Sequence, residues 1–155
     1  MTTKKDRYAE VAREVAATID GETNIIACMA TVSNILHHAF AHYFWTGFYL
    51  VDPDKTGELV IGPYQGTLGC LRIPFSKGVC GACAAQRETI IVPDVHAFPG
   101  HIACDSRSES EIVVPVFDKA GRLIAVFDVD SDRLNQFDED DREGLETILG
   151  ASFAR

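Results

Sequence analysis

Cys104 lies in the polar segment Gly100-His101-Ile102-Ala103-Cys104-Asp105-Ser106, between two apolar runs of strand character, and the carboxylate of Glu111 follows seven residues later. Loops held by a rigid scaffold are where reactive groups are placed, and a thiol becomes a nucleophile as its thiolate. A lone loop cysteine is more often inert, so its companions matter. Cys70 stands in Gly69-Cys70-Leu71-Arg72-Ile73-Pro74-Phe75 and, on its own residues, reads as a small hydrophobe packed in a strand. Cys80 follows Gly78 at the start of a short helical segment, where the helix dipole favours a thiolate, although packing suits it nearly as well. Asp128 and Asp130 alternate along a strand and so share a face; carboxyls crowded together hold at least one proton near neutral pH and can act as an acid. An Asp-x-Asp pair taken alone describes a solvated strand end equally well. Trp45 and Tyr49 also share a strand face and serve either as core or as the wall of a pocket.

These segments, with Trp45-Thr46-Gly47-Phe48-Tyr49-Leu50, Gly62-Pro63-Tyr64-Gln65-Gly66, Asp94-Val95-His96 and Phe127-Asp128-Val129-Asp130-Ser131, resemble the free methionine-(R)-sulfoxide reductases, a family built on a GAF domain. The resemblance runs from about Trp45 to the C-terminal helix, and three cysteines and three acids recur in order at near-matching spacing. It implies reduction of free L-methionine-(R)-sulfoxide, with Cys104 as the nucleophile, Cys70 as its disulfide partner and Cys80 as a second resolving thiol. Glu111, Asp128 and Asp130 then line the substrate pocket and Trp45 and Tyr49 wall it. The acids suit the substrate's ammonium, and backbone N–H groups of the His101, Ile102 and Ala103 segment suit its carboxylate. The resemblance implies a thioredoxin-type dithiol as reductant and no cofactor. The alternative is a non-catalytic GAF module that binds a small ligand or senses redox state for regulation. Cys83 departs from the family pattern by forming Cys80-Gly81-Ala82-Cys83; with His96 and His101 this raises zinc binding, which ranks low because a zinc ribbon normally supplies two such pairs. No metal is expected.

The elements that must position these residues are legible in outline. Tyr8, Val11, Ala12, Val15, Ala16 and Ile19 recur at helical spacing until Asp20-Gly21 ends the run. A second helix, capped by Thr23 or Asn24, is expected to present Ile25, Ile26, Met29, Val32, Ile35, Leu36 and Phe40 on its apolar face, with Cys28 in the core. Short β-branched and aromatic runs follow at Tyr43–Val51, Glu58–Ile61, Cys70–Ile73, Thr89–Val92, Glu111–Phe117 and Arg122–Asp130, with turn chemistry at Asp52–Gly57 and Asp118–Gly121. Val79–Arg87 reads as a short helix. The last helix opens at Asp138 with acids in its first turn and buries Leu145, Ile148, Leu149 and Phe153. The predicted fold is α+β, a central antiparallel sheet of about six strands with helices packed against it, over residues 1–155 as one GAF-like domain.

At 155 residues, 46% hydrophobic and 24% charged, the chain can bury a substantial core. A net charge of −9 argues against nucleic acid or an anionic membrane as partner, since both demand a basic surface. The N-terminus lacks the apolar segment of a secretory signal, the cytoplasm is the expected compartment, and five cysteines then point to metal binding or redox catalysis rather than to a structural disulfide framework. The pattern leaves oligomeric state open, a homodimer included.

Overall fold

The computed structural model describes residues 1–102 and 104–155. Helix α1 (Lys4–Thr18) is opened by a capping box in which the Thr3 hydroxyl accepts from the Asp6 N–H and the Asp6 carboxylate accepts from the Thr3 N–H. Helix α2 (Ile25–Ala39) is capped by Asn24, whose side-chain oxygen accepts from the Ala27 N–H at 3.0 Å. Strands β1 (Trp45–Val51), β2 (Glu58–Gln65) and β3 (Arg72–Pro74) lead into helix α3 (Gly78–Gln86) and strand β4 (Ile90–Val92). Strands β5 (Ser110–Phe117) and β6 (Leu123–Ser131) form a hairpin closed at Asp118 and Gly121, the latter at φ +79°, and helix α4 (Glu139–Phe153) ends the fold behind the N-cap Asp138. No helix among the described residues is long and apolar enough to cross a membrane.

The strands make one antiparallel sheet in the order β3-β2-β1-β6-β5-β4. Its two faces are covered unequally. Phe48, Ile112, Val114, Phe127 and Val129 point to one side and pack with Val11, Met29, Val32, Leu36, Leu145 and Leu149 of α1, α2 and α4. Trp45, Tyr49, Val113 and Val126 point to the other, where α3 and its flanking loops are the cover. Alternation along each strand feeds two cores at once, and the side lacking long helices is the one with space for a site.

Three expectations change in detail. Strand β2 continues to Gln65 through Gly62-Pro63; it pairs with β3 only over Glu58 to Val60, so Pro63 lies where no neighbour on that side needs its missing N–H, at an irregularity opposite Gly47 and Tyr49. Strand β3 begins at Arg72, which leaves Cys70 in the loop before it and not in a strand. Ile25 and Ile26 are 42% and 49% exposed and do not belong to the buried face of α2, because the stripe that meets the sheet runs through Cys28, Met29, Val32 and Leu36.

Candidate active site

The sheet register puts the acids in rows. Trp45 of β1, Asp130 of β6 and Glu111 of β5 are direct cross-strand neighbours, and Gly47, Asp128 and Val113 form the next row on the same face. Two carboxyls directly opposite each other with a third one row away is an arrangement that like-charge repulsion disfavours unless protons are shared. Glu111 and Asp128 are each only 5% exposed. Burial, then the charges of Asp128 and Asp130, push Glu111 well above the usual carboxylate range. Burial followed by the Asp128 charge does the same to Asp130. Burial also raises Asp128, against the opposing effect of hydrogen bonds with Glu111 and Cys80. The cluster therefore holds protons near neutral pH as a unit. Among the described residues no group hydrogen-bonds the buried Asp128 Oδ1, an acceptor left for whatever enters the recess.

Trp45 and Tyr49 stack at 5.7 Å between ring centroids, and Tyr64 stacks on Trp45 at 5.1 Å; Trp45 and Tyr49 are thus both core and pocket wall. Gly69, just before Cys70, lies flat against this wall: a Cβ there would stand 2.8 Å from Ile61 Cδ1 and 2.9 Å from Trp45 Cζ2. Gly69 and Tyr64 are not among the predicted site residues; the glycine beside Cys70 is the sequence signal by which Gly69 is recognisable, and Tyr64 has none.

Cys104 is exposed at the rim and forms a disulfide with Cys70, their Cα atoms 5.4 Å apart across 34 residues of sequence. Cys80, in the first turn of α3, reaches the floor, with its Sγ and one oxygen each of Glu111 and Asp128 mutually within 4.8 Å. Its thiol is not activated by the helix terminus as expected: burial, and then the charges of Asp128, Glu111 and Asp130, push it well up. A dipole contribution of about 0.3–1 kcal/mol is too small to offset that surrounding. Cys80, Glu111 and Asp128 are also the group with metal-ligand spacing among the described residues, and neither Cys83 nor a histidine joins them. Cys83 instead turns its S–H to the Val113 carbonyl at 3.7 Å, and burial raises its thiol too. A zinc site built on the Cys-x-x-Cys pair is thus not assembled.

The loop leading to Cys104 is hung from α3. Gly78, at φ +67°, donates its N–H to the Gly100 carbonyl at 3.1 Å, and the Ile102 side chain covers it, 3.4 Å from where a Cβ would be. His101 lines the recess with Nε2 3.8 Å from Glu111 Oε1; burial, and then His96, hold its imidazole below the usual value and so favour the neutral ring. Its backbone N–H is not aimed at a ligand, since it donates to the Phe98 carbonyl at 3.2 Å. Ala103 lies outside the described residues, and the backbone cradle expected over His101, Ile102 and Ala103 keeps Ile102 at the rim.

A sheet flanked unequally by helices, with a paired thiol above a protonated carboxylate floor, defines a GAF domain fitted for thiol chemistry. The GAF domain family matches residues 27–151. "GAF domain-containing protein A" of Dictyostelium discoideum is 49% identical over 94% of this chain and 90% of its own length. The free methionine-R-sulfoxide reductase of Escherichia coli is 40% identical over 94% of this chain and 86% of its own. The crystal structure of free methionine-R-sulfoxide reductase from Neisseria meningitidis, in complex with its substrate, is 46% identical and superposes with a TM-score of 0.92 over 97% of this chain and 89% of that one. The chain belongs to the free methionine-R-sulfoxide reductase family of GAF domains.

Proposed function

We propose that the protein reduces free L-methionine-(R)-sulfoxide to L-methionine, and that Cys104 is the thiol that takes the oxygen. The observation that supports this most is the Cys70–Cys104 pair at the mouth of a recess floored by Glu111, Asp128 and Asp130. In the first half-reaction the Cys104 thiolate attacks the sulfoxide sulfur while a protonated carboxyl hydrogen-bonds the sulfoxide oxygen and supplies a proton to it. Methionine leaves and Cys104 becomes a sulfenic acid. Cys70 then attacks that sulfur, water departs, and the disulfide forms; a thioredoxin-type dithiol exchanges with it and restores both thiols. Asp128 Oδ1 and the ionised share of the cluster receive the substrate ammonium, and Trp45 and Tyr49 hold its methyl group. The absence of an ammonium in a peptide-linked residue explains a preference for the free amino acid. Cys80, deep and poorly ionised, serves as a reserve resolving thiol.

The test is an NADPH-coupled assay with thioredoxin and thioredoxin reductase on the free R and S epimers and on a peptide-bound sulfoxide. Turnover of the free R epimer alone is expected; no turnover of any form would favour the ligand-binding module. Cys104→Ser is expected to abolish even the single-turnover yield of methionine, and product from that variant would remove Cys104 from its role. Cys70→Ser is expected to keep a burst of about one product per site and lose thioredoxin-dependent cycling.

A further inference from the structure

Thr67 lies three residues before Cys70, and Asp105 directly follows Cys104. The Thr67 hydroxyl donates to Asp105 Oδ2 at 2.6 Å, so this hydrogen bond spans the same two loops as the disulfide. Each end is anchored separately. The Thr67 carbonyl accepts from the Trp45 indole N–H at 2.7 Å, which fixes that loop to β1 and the pocket wall. Asp105 Oδ1 accepts from the Arg107 backbone N–H at 2.9 Å and from its Nε at 3.1 Å, and Oδ2 accepts from its Nη2 at 2.8 Å. The Arg107 guanidinium in turn sits 4.9 Å over the Phe44 ring, and the Phe44 N–H donates to the Asp130 carbonyl at the end of β6. Both loops are thereby referred to the same end of the central strands β1 and β6 by groups that are not thiols and do not change with redox state.

We infer that Thr67 and Asp105 are positioning residues: their clasp holds the Cys70 loop against the Cys104 loop while the disulfide is open, and so sets the rate at which the Cys104 sulfenic acid is resolved. The inference rests on the reductase reading above. Its physical basis is effective concentration. A thiol and a sulfenic acid on loops already held in register react as a preorganised pair, whereas loops free to part must first be brought together. Hydrogen bonds to an ionised acceptor are the short, strong kind, and 2.6 Å is in their range. The balance of the step is unchanged by the clasp: the Cys70 thiol and the Cys104 sulfenic acid give a disulfide and one water.

Thr67→Val removes the hydroxyl and keeps the shape, Thr67→Ser keeps the hydroxyl, and Asp105→Asn keeps an acceptor without its charge. Fully reduced protein is oxidised with hydrogen peroxide, which makes the Cys104 sulfenic acid without methionine sulfoxide. Disulfide formation is then followed by the fluorescence of Trp45, the chain's single tryptophan, and by acid-quenched mass spectrometry, with dimedone trapping the sulfenic acid. Thr67→Val is expected to slow disulfide formation roughly tenfold, the scale of one hydrogen bond to a charged group, and to raise the dimedone adduct accordingly. Asp105→Asn is expected to fall between Thr67→Val and wild type, and Thr67→Ser to stay near wild type. The methionine burst with sulfoxide is expected in every variant. Wild-type disulfide rates in both Thr67→Val and Asp105→Asn overturn the clasp, as does a Thr67→Ser variant as slow as Thr67→Val. A wild-type protein that resolves its peroxide-made sulfenic acid but yields no methionine from the sulfoxide sinks the reductase reading instead and leaves the clasp standing.

Discussion

Asp141, at the start of α4, and Glu111, on β5, are both carboxylates shut away from water, one on the helical side of the sheet and one on the pocket side. Burial acts on both in the same direction, favouring the neutral acid. Around Asp141 it is overcome: His42 Nε2 at 2.9 Å and the Tyr8 hydroxyl at 2.7 Å reach Oδ1, Lys4 Nζ at 2.7 Å and the Asp138 N–H at 2.9 Å reach Oδ2, and together they hold the carboxyl well below its usual value. Tyr43 donates onward to the Tyr8 hydroxyl, which completes the network. Around Glu111 the neighbours are two more carboxyls, a thiol and a half-buried imidazole, and burial prevails. A carboxylate supplied with every donor it can use fastens α1 to α4 and has no capacity left for a ligand. One surrounded by acceptors keeps its proton and has it to give. The difference separates a structural acid from a chemical one more sharply than burial does.

The largest effect expected from this contrast is on the chemical step. At least one of Glu111→Gln, Asp128→Asn and Asp130→Asn is expected to slow single-turnover reduction roughly 10²-fold or more, because an amide keeps the shape and a donor but has no proton to transfer. Circular dichroism and the alkylation rate of Cys104 in reduced protein should be unchanged. Near-native single-turnover rates in all three variants would break the comparison on its chemical side and move the proton to water or another group.

The two acid sites were not equally legible in the sequence. Asp128 and Asp130 fall on one face by simple alternation, and their order with Glu111 and Cys104 carried the family resemblance. What alternation cannot supply is register, and only the pairing of Glu111 with Asp130 turns a polar strand end into a crowded floor. Asp141 was legible only as one of several acids in a first helical turn, because its role depends on Lys4 and Tyr8, more than 130 residues away in the chain. The capped helices and the β5–β6 hairpin were readable because caps and turns are local. Cys70 read as a strand residue because apolar neighbours suggest a strand, whereas Gly69 packing on Trp45 and the bond to Cys104 hold it in a loop. Cys80 read as a helix-terminus thiol because depth cannot be seen in a sequence.

The structural side of the contrast is tested by Asp141→Asn. The amide keeps one acceptor but cannot satisfy Lys4, His42 and Tyr8 together, and breaking a buried charge pair costs several kcal/mol when the remaining charge is trapped. Lys4 is 28% exposed and can turn to water, so the expected loss is smaller, about 2 kcal/mol in urea-denaturation stability. The single-turnover rate should stay near wild type, since no member of the network touches the recess. A variant that unfolds at the wild-type urea concentration would show the network to be dispensable, and one that is stable but inactive would couple it to the site.

The smallest expected effect, and the one that tests both sites in one measurement, is the pH dependence of stability. For Glu111 and Asp130 the folded value is raised, so their favourable contribution is complete below the unfolded carboxylate value near about 4 and is lost as pH rises towards the folded value. For Asp141 the folded value is depressed, so its contribution is complete above about 4 and is lost as pH falls through the depressed value. The two sites therefore tilt the stability curve in opposite directions on opposite sides of the same point. Urea denaturation of the disulfide form, compared between about pH 5 and about pH 6, is expected to show the wild type losing about 1 kcal/mol more than Glu111→Gln, because a proton retained by the fold and released on unfolding is worth about 1.4 kcal/mol per pH unit at most. Below about pH 4 the order changes: Glu111→Gln should follow the wild-type acid limb, and Asp141→Asn should fall less steeply than either. Parallel wild-type and Glu111→Gln curves above about pH 5 would mean that the pocket acids ionise in the fold as they do in the unfolded chain, and the proton assigned to the sulfoxide oxygen would lose its source.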